Sequence, residues 1–362
     1  MKADILRPED PAWTEALAGL EHDVYHLPRY AAATASSDGG DPYAILVGDG
    51  RGSLLAPLVL RPVPGADCVD ATSPYGYPGP IVSRGASPQF LAEASETLAA
   101  ALGELGAVSY FARLHPLLPV AELGAGAVAI EHGETVVVDL TETPEAMWAQ
   151  TAKGHRNEIN RARKDGHRAF PDPDFQALEV FQDAYEQTME RVSAVGYYFF
   201  PRSYFDQLRE ALGGRLQLWL AEVRGEIAGG ALFMECGGIV QYHLSGTLDR
   251  FVNDRPTKLI LDEARRYYRG REDRFLHLGG GVGSGEDTLF RFKAGFSRGR
   301  GRFRTLRLVV DRERYAALVK ERQPQCDPAA LDGYFPAYRK PPPDEPASDT
   351  GAVAAPEGAP GT

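Results

Sequence analysis

The sequence predicts an α/β protein with two domains and a C-terminal tail. The chain has 362 residues, which is long for one hydrophobic core and sufficient for two. Its second half shows the element order β-β-β-α-β-α-β, and its C-terminal end is rich in Pro, Ala and Gly, a composition typical of disorder. We therefore expect mixed central sheets flanked by helices. The predicted domains are residues 1–142 (completed by 306–336) and 143–305, followed by a disordered tail at 337–362.

The first domain begins with a helix and two strands. "PAWTEALAGL" suits a helix, and "YAILVGDG" and "SLLAPLVLRPV" indicate strands around a Gly-Asp-Gly turn. Residues 87–106 predict a longer helix, because Ser87 can cap it and Pro88 suits its first position. The β-branched run at 134–140, "ETVVVDL", predicts a closing strand.

The second domain opens with helices. Thr143 followed by Pro144 marks a helix start, and Gly166 marks an end, so the segment between them predicts one helical region. "FQALEVFQDAYEQTMERVSAVG" and "PRSYFDQLREALG" predict two further helices.

A three-stranded meander follows, with predicted turns at residues 224–225 and 237–238. "TKLILDEARRYYRG" then predicts an amphipathic helix. Its expected apolar stripe is Leu259, Ile260, Ala264 and Tyr267. "RFLHLGGG" predicts a strand, "EDTLFRFKAGF" a short helix and "RFRTLRLVVD" a last strand.

Composition excludes several classes of protein. We find no run of about 18 uncharged apolar residues and no apolar leader at the first residues, so we expect a cytoplasmic protein without a membrane span. The three cysteines and eight histidines show no metal-ligand spacing, and no metal is expected. "GGGVGSG" at 279–285 lacks the patterns of ATP and dinucleotide loops, so no cofactor is expected.

The charge is strongly polarised. The whole chain has a formal net charge of −11, which argues against general coating of nucleic acid. Residues 153–168 nevertheless carry six basic and two acidic side chains, and residues 291–308 carry seven basic and no acidic ones. Such segments can bind an anion, or they can be solvated faces that pair with acids elsewhere.

The β-β-β-α-β-α-β order with its "GEIAGGALF" hairpin resembles the GNAT acyltransferase fold. Four segments are similar to those of Fem-type aminoacyltransferases: "DVYHLPRY", "SPYGYPGPIV", "KGHRNEINRARKDG" and "LHLGGGVGSGEDTLFRFKAGF". This resemblance covers roughly residues 20–310 and implies two tandem GNAT-like domains. It implies transfer of an aminoacyl group from aminoacyl-tRNA to a peptide amine, typically of a peptidoglycan precursor. The Tyr75-Gly76-Tyr77 form of the second segment and the missing coiled-coil arm depart from the peptidoglycan enzymes, which favours a small peptide or natural-product amine.

Lys293 is the first catalytic candidate. Amide formation from an ester develops an oxyanion, which needs a positive or hydrogen-bonding group about 3 Å away. Lys293 lies in the predicted helix after the Gly-rich segment, beside Phe292 and Phe296, which can exclude water. The resemblance implies the same role. The alternative is a surface lysine that pairs with Glu286 or Asp287.

Arginines alternate with other residues after this helix, and alternate residues of a strand share one face. Such a face suits the phosphates of a tRNA donor, while a charge-protected edge strand is the alternative. The predicted donor-binding residues are Arg291, Arg298, Arg300, Arg302 and Arg304.

Helical spacing places several basic residues of the segment at 153–168 on one face, where they could hold a nucleotide-linked acceptor or form a solvated face. The resemblance to Fem-type enzymes adds three weaker candidates for acceptor binding, Arg191, Tyr75 and Tyr77. The predicted acceptor-binding residues are Lys153, Arg156, Arg163, Arg191, Tyr75 and Tyr77.

These observations predict a monomeric N-acyltransferase with aminoacyl-tRNA as co-substrate and a peptide-like or nucleotide-linked acceptor. The alternative is an acetyl-CoA-dependent N-acetyltransferase. The segment "LDRFVNDRPTKLILDEA" argues against it, because it lacks the Q/R-x-x-G-x-G/A pattern that usually binds the pyrophosphate of CoA. A non-catalytic adaptor that binds RNA or peptide is a third possibility, which the intact "RFKAGF" disfavours.

Overall fold

The structure is a computed structural model that describes residues 1–120, 123–124, 126–194, 196–271, 273–281 and 286–341. The chain divides into two compact units. Unit 1 comprises Met1–His132 and the described residues from Phe303 onward, and unit 2 comprises Gly133–Arg302.

The first part of the chain alternates strands and helices. Its elements are β1 (Lys2–Leu6), α1 (Pro11–Ala18), α2 (Pro28–Asp38), β2 (Asp41–Asp49), β3 (Gly52–Pro62), β4 (Val69–Thr72), β5 (Ile81–Val82), α3 (Pro88–Glu104), β6 (Ala107–Leu114) and β7 (Val128–Asp139).

The second part begins with helices and returns to unit 1 at its end. Its elements are α4 (Pro144–Gln150), α5 (Lys153–Lys164), β8 (Arg168–Asp172), α6 (Leu178–Arg191), α7 (Arg202–Leu212), β9 (Leu216–Val223), β10 (Glu226–Cys236), β11 (Ile239–Thr247), α8 (Pro256–Arg269), β12 (Phe275–Gly279), α9 (Thr288–Ala294), β13 (Gly299–Val309) and α10 (Arg312–Arg322). The described residues contain no helix that is both long and apolar enough to cross a bilayer.

The sheets of the two units have the same pattern of strand directions. In unit 1 the order is β1-β2-β3-β4-β6-β13, and in unit 2 it is β8-β9-β10-β11-β12-β7. Each sheet has one parallel pair, β4–β6 in unit 1 and β11–β12 in unit 2, and its other pairs are antiparallel. The predicted fold class, mixed sheets flanked by helices, is confirmed.

Each unit has its own core. In unit 1, Phe90 and Leu98 of α3 pack on Tyr110 of β6, and a second cluster includes Tyr315 of α10. In unit 2, Ile260 of α8 packs with Phe233 and Leu276 on the sheet.

Local sequence rules explain the helix starts and tight turns. The Ser87 hydroxyl accepts a hydrogen bond from the Phe90 amide at 3.1 Å, and the Thr143 hydroxyl accepts one from the Ala146 amide at 3.2 Å. Both predicted hairpin turns place two consecutive residues at positive φ, with Arg224 at 53° and Gly225 at 82° in the first. This geometry matches the right-handed twist of the flanking strands.

Three predicted features differ from the structure. The helical region after Thr143 is two helices, because the chain leaves helical geometry at Thr151. The apolar stripe of α8 contains Tyr268, which is fully buried, while Tyr267 is 36% exposed. Residues at the start of the predicted tail form a 3-10 helix, Ala337–Arg339, within unit 1, and residues 342–362 lie outside the described part of the chain.

Candidate active site

The parallel strands β11 and β12 separate toward their carboxyl ends. Their register pairs run from Ile239↔Phe275 to Gln241↔His277. Beyond these pairs β11 continues to Thr247, while Gly279 of β12 pairs with β7. The register of the two strands therefore ends at Gln241 and His277, and strand backbone beyond such an end can pair with an extended ligand. We call the region after Gln241 and His277 the slot.

A β-bulge lies at the slot. The pairing of β10 with β11 steps from Leu232↔Leu244 to Phe233↔Tyr242, so His243 is the extra residue. Bulges of this kind often re-aim a side chain beside a functional site. The Nε2 atom of His243 lies 3.0 Å from the hydroxyl of Tyr204 on α7. Burial lowers the pKa of His243 to about 3, so the ring is neutral at neutral pH.

A second polar pair lies at the base of the slot. Gln241 and His277 are cross-strand neighbours, and both are fully buried. The Nδ1 atom of His277 lies 2.7 Å from Oε1 of Gln241, so Nδ1 donates to this amide oxygen. Buried polar side chains inside apolar strands are costly unless they are paired, and here they hold the two strands together where the slot begins.

Lys293 lies at the end of β12. Asp287 caps the start of helix α9, where its carboxylate accepts a hydrogen bond from the Phe290 amide at 2.7 Å. One turn later, Lys293 is fully buried, and its Nζ donates to the Gly280 carbonyl at 2.8 Å. Gly280 follows β12 directly, so the ammonium lies at the carboxyl end of this strand. Lys293 is therefore not a surface residue, contrary to that part of the alternative.

Phe292 and Phe296 flank this lysine in the sequence, and both are buried, at 8% and 1% exposure. Their rings make an edge-to-face contact, with centroids 5.5 Å apart. They form part of the apolar core of unit 2. Residues 282–285 of the predicted glycine segment lie outside the described part of the chain.

The two basic segments meet in unit 2. The amide of Ala152, just before α5, donates to the Gly295 carbonyl at 2.8 Å. Nε2 of His155 lies 2.9 Å from the Phe292 carbonyl, and its ring packs edge-on against Phe296. Burial lowers the pKa of His155, and its carbonyl partner requires that Nε2 carries a proton and donates. This contact explains Gly295, where an added Cβ would lie 2.5 Å from Nε2 of His155.

The predicted donor-binding arginines fall into two groups. Arg291, Arg298 and Arg302 are exposed, while the intervening Gly301 and Phe303 of β13 are buried. From Arg300 to Phe303 alternate residues therefore face solvent, as expected for a strand, whereas Arg298, Gly299 and Arg300 are all exposed.

Arg300 and Arg304, the other two predicted donor-binding arginines, lie in different surroundings from each other. The Arg300 guanidinium donates to the Ser297 carbonyl at 2.8 Å and lies 3.4 Å from the Glu134 carboxylate. Arg304 is half-buried in unit 1 and begins the register of β13 with β6. Arg304 therefore does not lie on an edge strand, which excludes the charged-edge alternative at that position.

Two arginines of the basic helix have structural partners. Nη1 of Arg156 donates to the Thr151 carbonyl at 2.9 Å and so satisfies the end of α4. Nη2 of Arg163 lies 2.5 Å from the carboxylates of both Asp262 and Glu263 on α8. These contacts join α5 to α8. Binding of an acceptor by either arginine remains a prediction.

Arg191, the third arginine among the predicted acceptor-binding residues, is the last residue of α6. Its Nη1 forms an ion pair with Asp249, and its Nη2 donates to the Thr188 hydroxyl at 2.9 Å. The guanidinium thus ties α6 to the turn after β11.

Tyr75 and Tyr77 belong to a buried cluster in unit 1, at 4% and 5% exposure. Tyr77 packs edge-on against His115, whose Nε2 lies 3.0 Å from the Asp23 carboxylate. At Gly76, φ is +93° and an added Cβ would lie 2.3 Å from the Tyr25 ring. The segments "DVYHLPRY" and "SPYGYPGPIV" therefore pack together in unit 1.

Sequence reasoning missed Gln241, His243, His277 and Tyr204. A signal existed, because "IVQYHLSG" and "RFLHLGG" place polar side chains inside otherwise apolar strands. Among the described residues, no three His, Cys, Asp or Glu side chains come together as metal ligands.

Comparison with known proteins agrees with this architecture. Residues 149–294, which include the slot and Lys293, match a family profile described as an acetyltransferase (GNAT) domain. A comparison with curated proteins finds no match.

Among solved structures, FemX has a TM-score of 0.65 at 15% identity, over 87% of this chain and 99% of FemX. A C-terminal DUF2156 domain from Agrobacterium fabrum, described as part of a lysylphosphatidylglycerol synthetase, has a TM-score of 0.53 at 15% identity, over 86% of this chain and 96% of its own. L-PGS from Bacillus licheniformis has a TM-score of 0.50 at 14% identity, over 84% of this chain and 93% of the L-PGS chain. The resemblance to Fem-type proteins is confirmed as a likeness of fold.

Proposed function

We propose that this protein is an N-acyltransferase that transfers an aminoacyl group from aminoacyl-tRNA to the amine of a peptide or peptide-like molecule. The observation that carries the proposal is the fully buried ammonium of Lys293 at the carboxyl end of β12, beside the slot. A buried, fixed positive charge is suited to a developing oxyanion, because it needs no reorganisation during the reaction.

The reaction requires few groups. A neutral amine attacks the ester carbonyl, and the tetrahedral intermediate places negative charge on the carbonyl oxygen. Lys293 stabilises that charge, and Phe292 and Phe296 keep the surroundings apolar. The new C–N bond forms as the C–O bond to the terminal ribose breaks, and the amine proton ends on the ribose oxygen.

Exposed positive charge in unit 2 supports a phosphate-bearing donor. Arg291, Arg298 and Lys153 are exposed, and none of them forms an ion pair with another described residue. Lys153 follows Ala152, which is bonded to Gly295, and the Arg298 amide donates to Gln150 at 3.1 Å, so the basic ends of α5 and β13 adjoin. Side chains of this kind bind phosphates with affinity that falls steeply with salt.

Transfer from acetyl-CoA is the second candidate, and the description of the matched family profile favours it. The surroundings of the α8 amino terminus argue against it. A cavity of about 320 Å³ there is lined by three carboxylates and two arginines. Both arginines are paired, Arg255 with Glu158 and Arg161 with Asp165. A net negative lining does not favour a diphosphate.

One experiment separates the two donors. The protein is incubated with a peptide amine and either charged tRNA or acetyl-CoA, with and without ribonuclease. Product that requires charged tRNA and disappears with ribonuclease supports the proposal. Product that requires acetyl-CoA and survives ribonuclease overturns it.

A further inference from the structure

A pocket with aromatic walls lies between α6 and the start of α7 in unit 2. Its volume is about 220 Å³, and Tyr185, Phe200 and Phe205 line it. Phe199, also part of the lining, is 39% exposed, which is unusual for a large apolar side chain in this chain. A cavity of about 150 Å³ with apolar walls can bind benzene, so this pocket has room for one aromatic ring.

The charged side chains at the rim of the pocket are Glu186 and Arg202, and Asp183 lies beside Arg202. Glu186 of α6 lines it, is exposed and forms no ion pair with another described residue. The positive charge of Arg202 is already compensated, because its Nη2 lies 2.6 Å from Asp183 and its Nη1 donates to Gln182 at 3.1 Å. The rim therefore favours a cation and disfavours a carboxylate.

The walls of the pocket contact β11 beside the slot through buried side chains. The Phe200 ring stacks on Tyr204, with centroids 4.2 Å apart, and the Tyr204 hydroxyl bonds His243 at the bulge. Helix α6 also lies against β11, since a Cβ added at Gly246 would lie 2.3 Å from the Tyr185 amide. Both walls thus rest on the part of β11 that has separated from β12.

We propose that this pocket binds the side chain of the acceptor, and that the acceptor is the amino-terminal residue of a peptide-like molecule with an aromatic or large apolar side chain. The ring fills the pocket, and Glu186 attracts the ammonium form on arrival. The ammonium then releases one proton to solvent, and the neutral amine attacks the ester. A free amino acid is disfavoured because its carboxylate would approach the same rim. The assignment of this ligand as the acceptor rests on the proposed transfer reaction, whereas the binding itself does not.

Binding is measured with the full chain by ¹⁹F NMR, using 4-fluorophenylalaninamide as the probe. We expect Phe199→Ala to weaken binding by about tenfold, because one wall of the ring site is lost. Its matched control is Tyr267→Ala, an equally exposed aromatic on α8 that does not line the pocket.

We expect Glu186→Gln to weaken binding by about two- to fivefold, since an exposed ion pair contributes little. Its control is Glu190→Gln, one turn along α6.

A neutral probe separates the contribution of the aromatic ring to binding from that of the ammonium charge. N-acetyl-4-fluorophenylalaninamide should respond to Phe199→Ala and be insensitive to Glu186→Gln. Four results overturn the inference. Two concern the probes: neither probe binds, or the control variants lose as much affinity for the probe as Phe199→Ala and Glu186→Gln do. The other two concern competitors and substrates: tetramethylammonium displaces the probe as effectively as phenethylamine does, or the aminoacyl group is transferred to alaninamide as fast as to phenylalaninamide. If the probes bind with the expected pattern but no aminoacyl group is transferred from tRNA, the pocket stands and the proposed function fails.

Discussion

Replacing Lys293 by methionine separates catalysis from stability. The side chain is fully buried, and its ammonium donates to the Gly280 carbonyl at 2.8 Å. Burying an ammonium costs several kcal/mol before its partners offset it, and methionine of similar length removes that cost. The variant also deprives the carbonyl of this donor, which costs about 1–3 kcal/mol. Because the two effects oppose each other, we expect the free energy of unfolding to change by less than about 2 kcal/mol.

Turnover should fall much further. Loss of one oxyanion donor lowers kcat by about 10²–10³, equivalent to about 2.7–4 kcal/mol of transition-state stabilisation. The assay is the rate of ribonuclease-sensitive product formation per folded molecule, with urea unfolding measured in parallel. The control is Arg265→Met, another buried cation, which is ion-paired with Asp262. This control should lose about 1–3 kcal/mol of stability, because the buried Asp262 carboxylate loses one hydrogen-bonding partner and keeps Arg163 and Arg266. A folded Lys293→Met protein with unchanged turnover, or one as unstable as the control, would refute the reasoning.

Three further predictions concern the same unit. Burial holds the pKa of His243 at about 3, below its unfolded value of about 6.5, so stability is lost as pH falls from about 6.5 toward 3. His243→Gln should flatten the pH dependence of urea unfolding in that window by at most about 1.4 kcal/mol per pH unit, and an unchanged slope contradicts this. Gly295→Ala should destabilise the protein, because its Cβ would lie 2.5 Å from His155, whereas Gly154→Ala in α5 has open space and should stabilise it by about 0.5–1 kcal/mol. Thermal unfolding of the two alanine variants distinguishes them, and equal shifts would exclude the steric explanation. Arg298→Gln should raise the KM for charged tRNA and reduce its dependence on salt, and a KM that is insensitive to salt in both proteins would exclude a phosphate contact.

The features that the sequence predicted best depend on neighbouring residues. Ser87 and Thr143 cap helices because their hydroxyls reach amides three residues later, and the Arg224-Gly225 turn needs only two residues at positive φ. The element order of unit 2 follows from such signals together with hydrophobic period. Local signals also predicted that Lys293 lies on a short helix that follows a strand ending in glycines.

The features that it could not predict depend on distant residues. Arg163 pairs with Glu263, which is 100 residues away in the chain, so its spacing within α5 could not reveal that partner. Asp23 is fully buried beside His115, which is 92 residues away in the chain, so the sequence around Asp23 could not reveal that partner. The bulge at His243 arises from the register between β10 and β11, which the sequence of β11 alone does not specify.

The two units share a pattern of strands but differ at their parallel pairs. In unit 1, β4 ends at Thr72, and the next residue, Ser73, still bonds the Phe111 carbonyl at 2.8 Å, so the chain stays attached to β6. The segment that follows carries the buried Tyr75 and Tyr77. In unit 2, β11 instead continues past its last pair with β12, and Lys293 lies at the end of β12. Since the same fold serves both units, the chemistry must be assigned from the side chains and the slot. On the proposed function, the candidate reaction lies in unit 2, beside Lys293, while in the corresponding region of unit 1 the buried Tyr75 and Tyr77 contribute to packing and their binding of an acceptor stays a prediction.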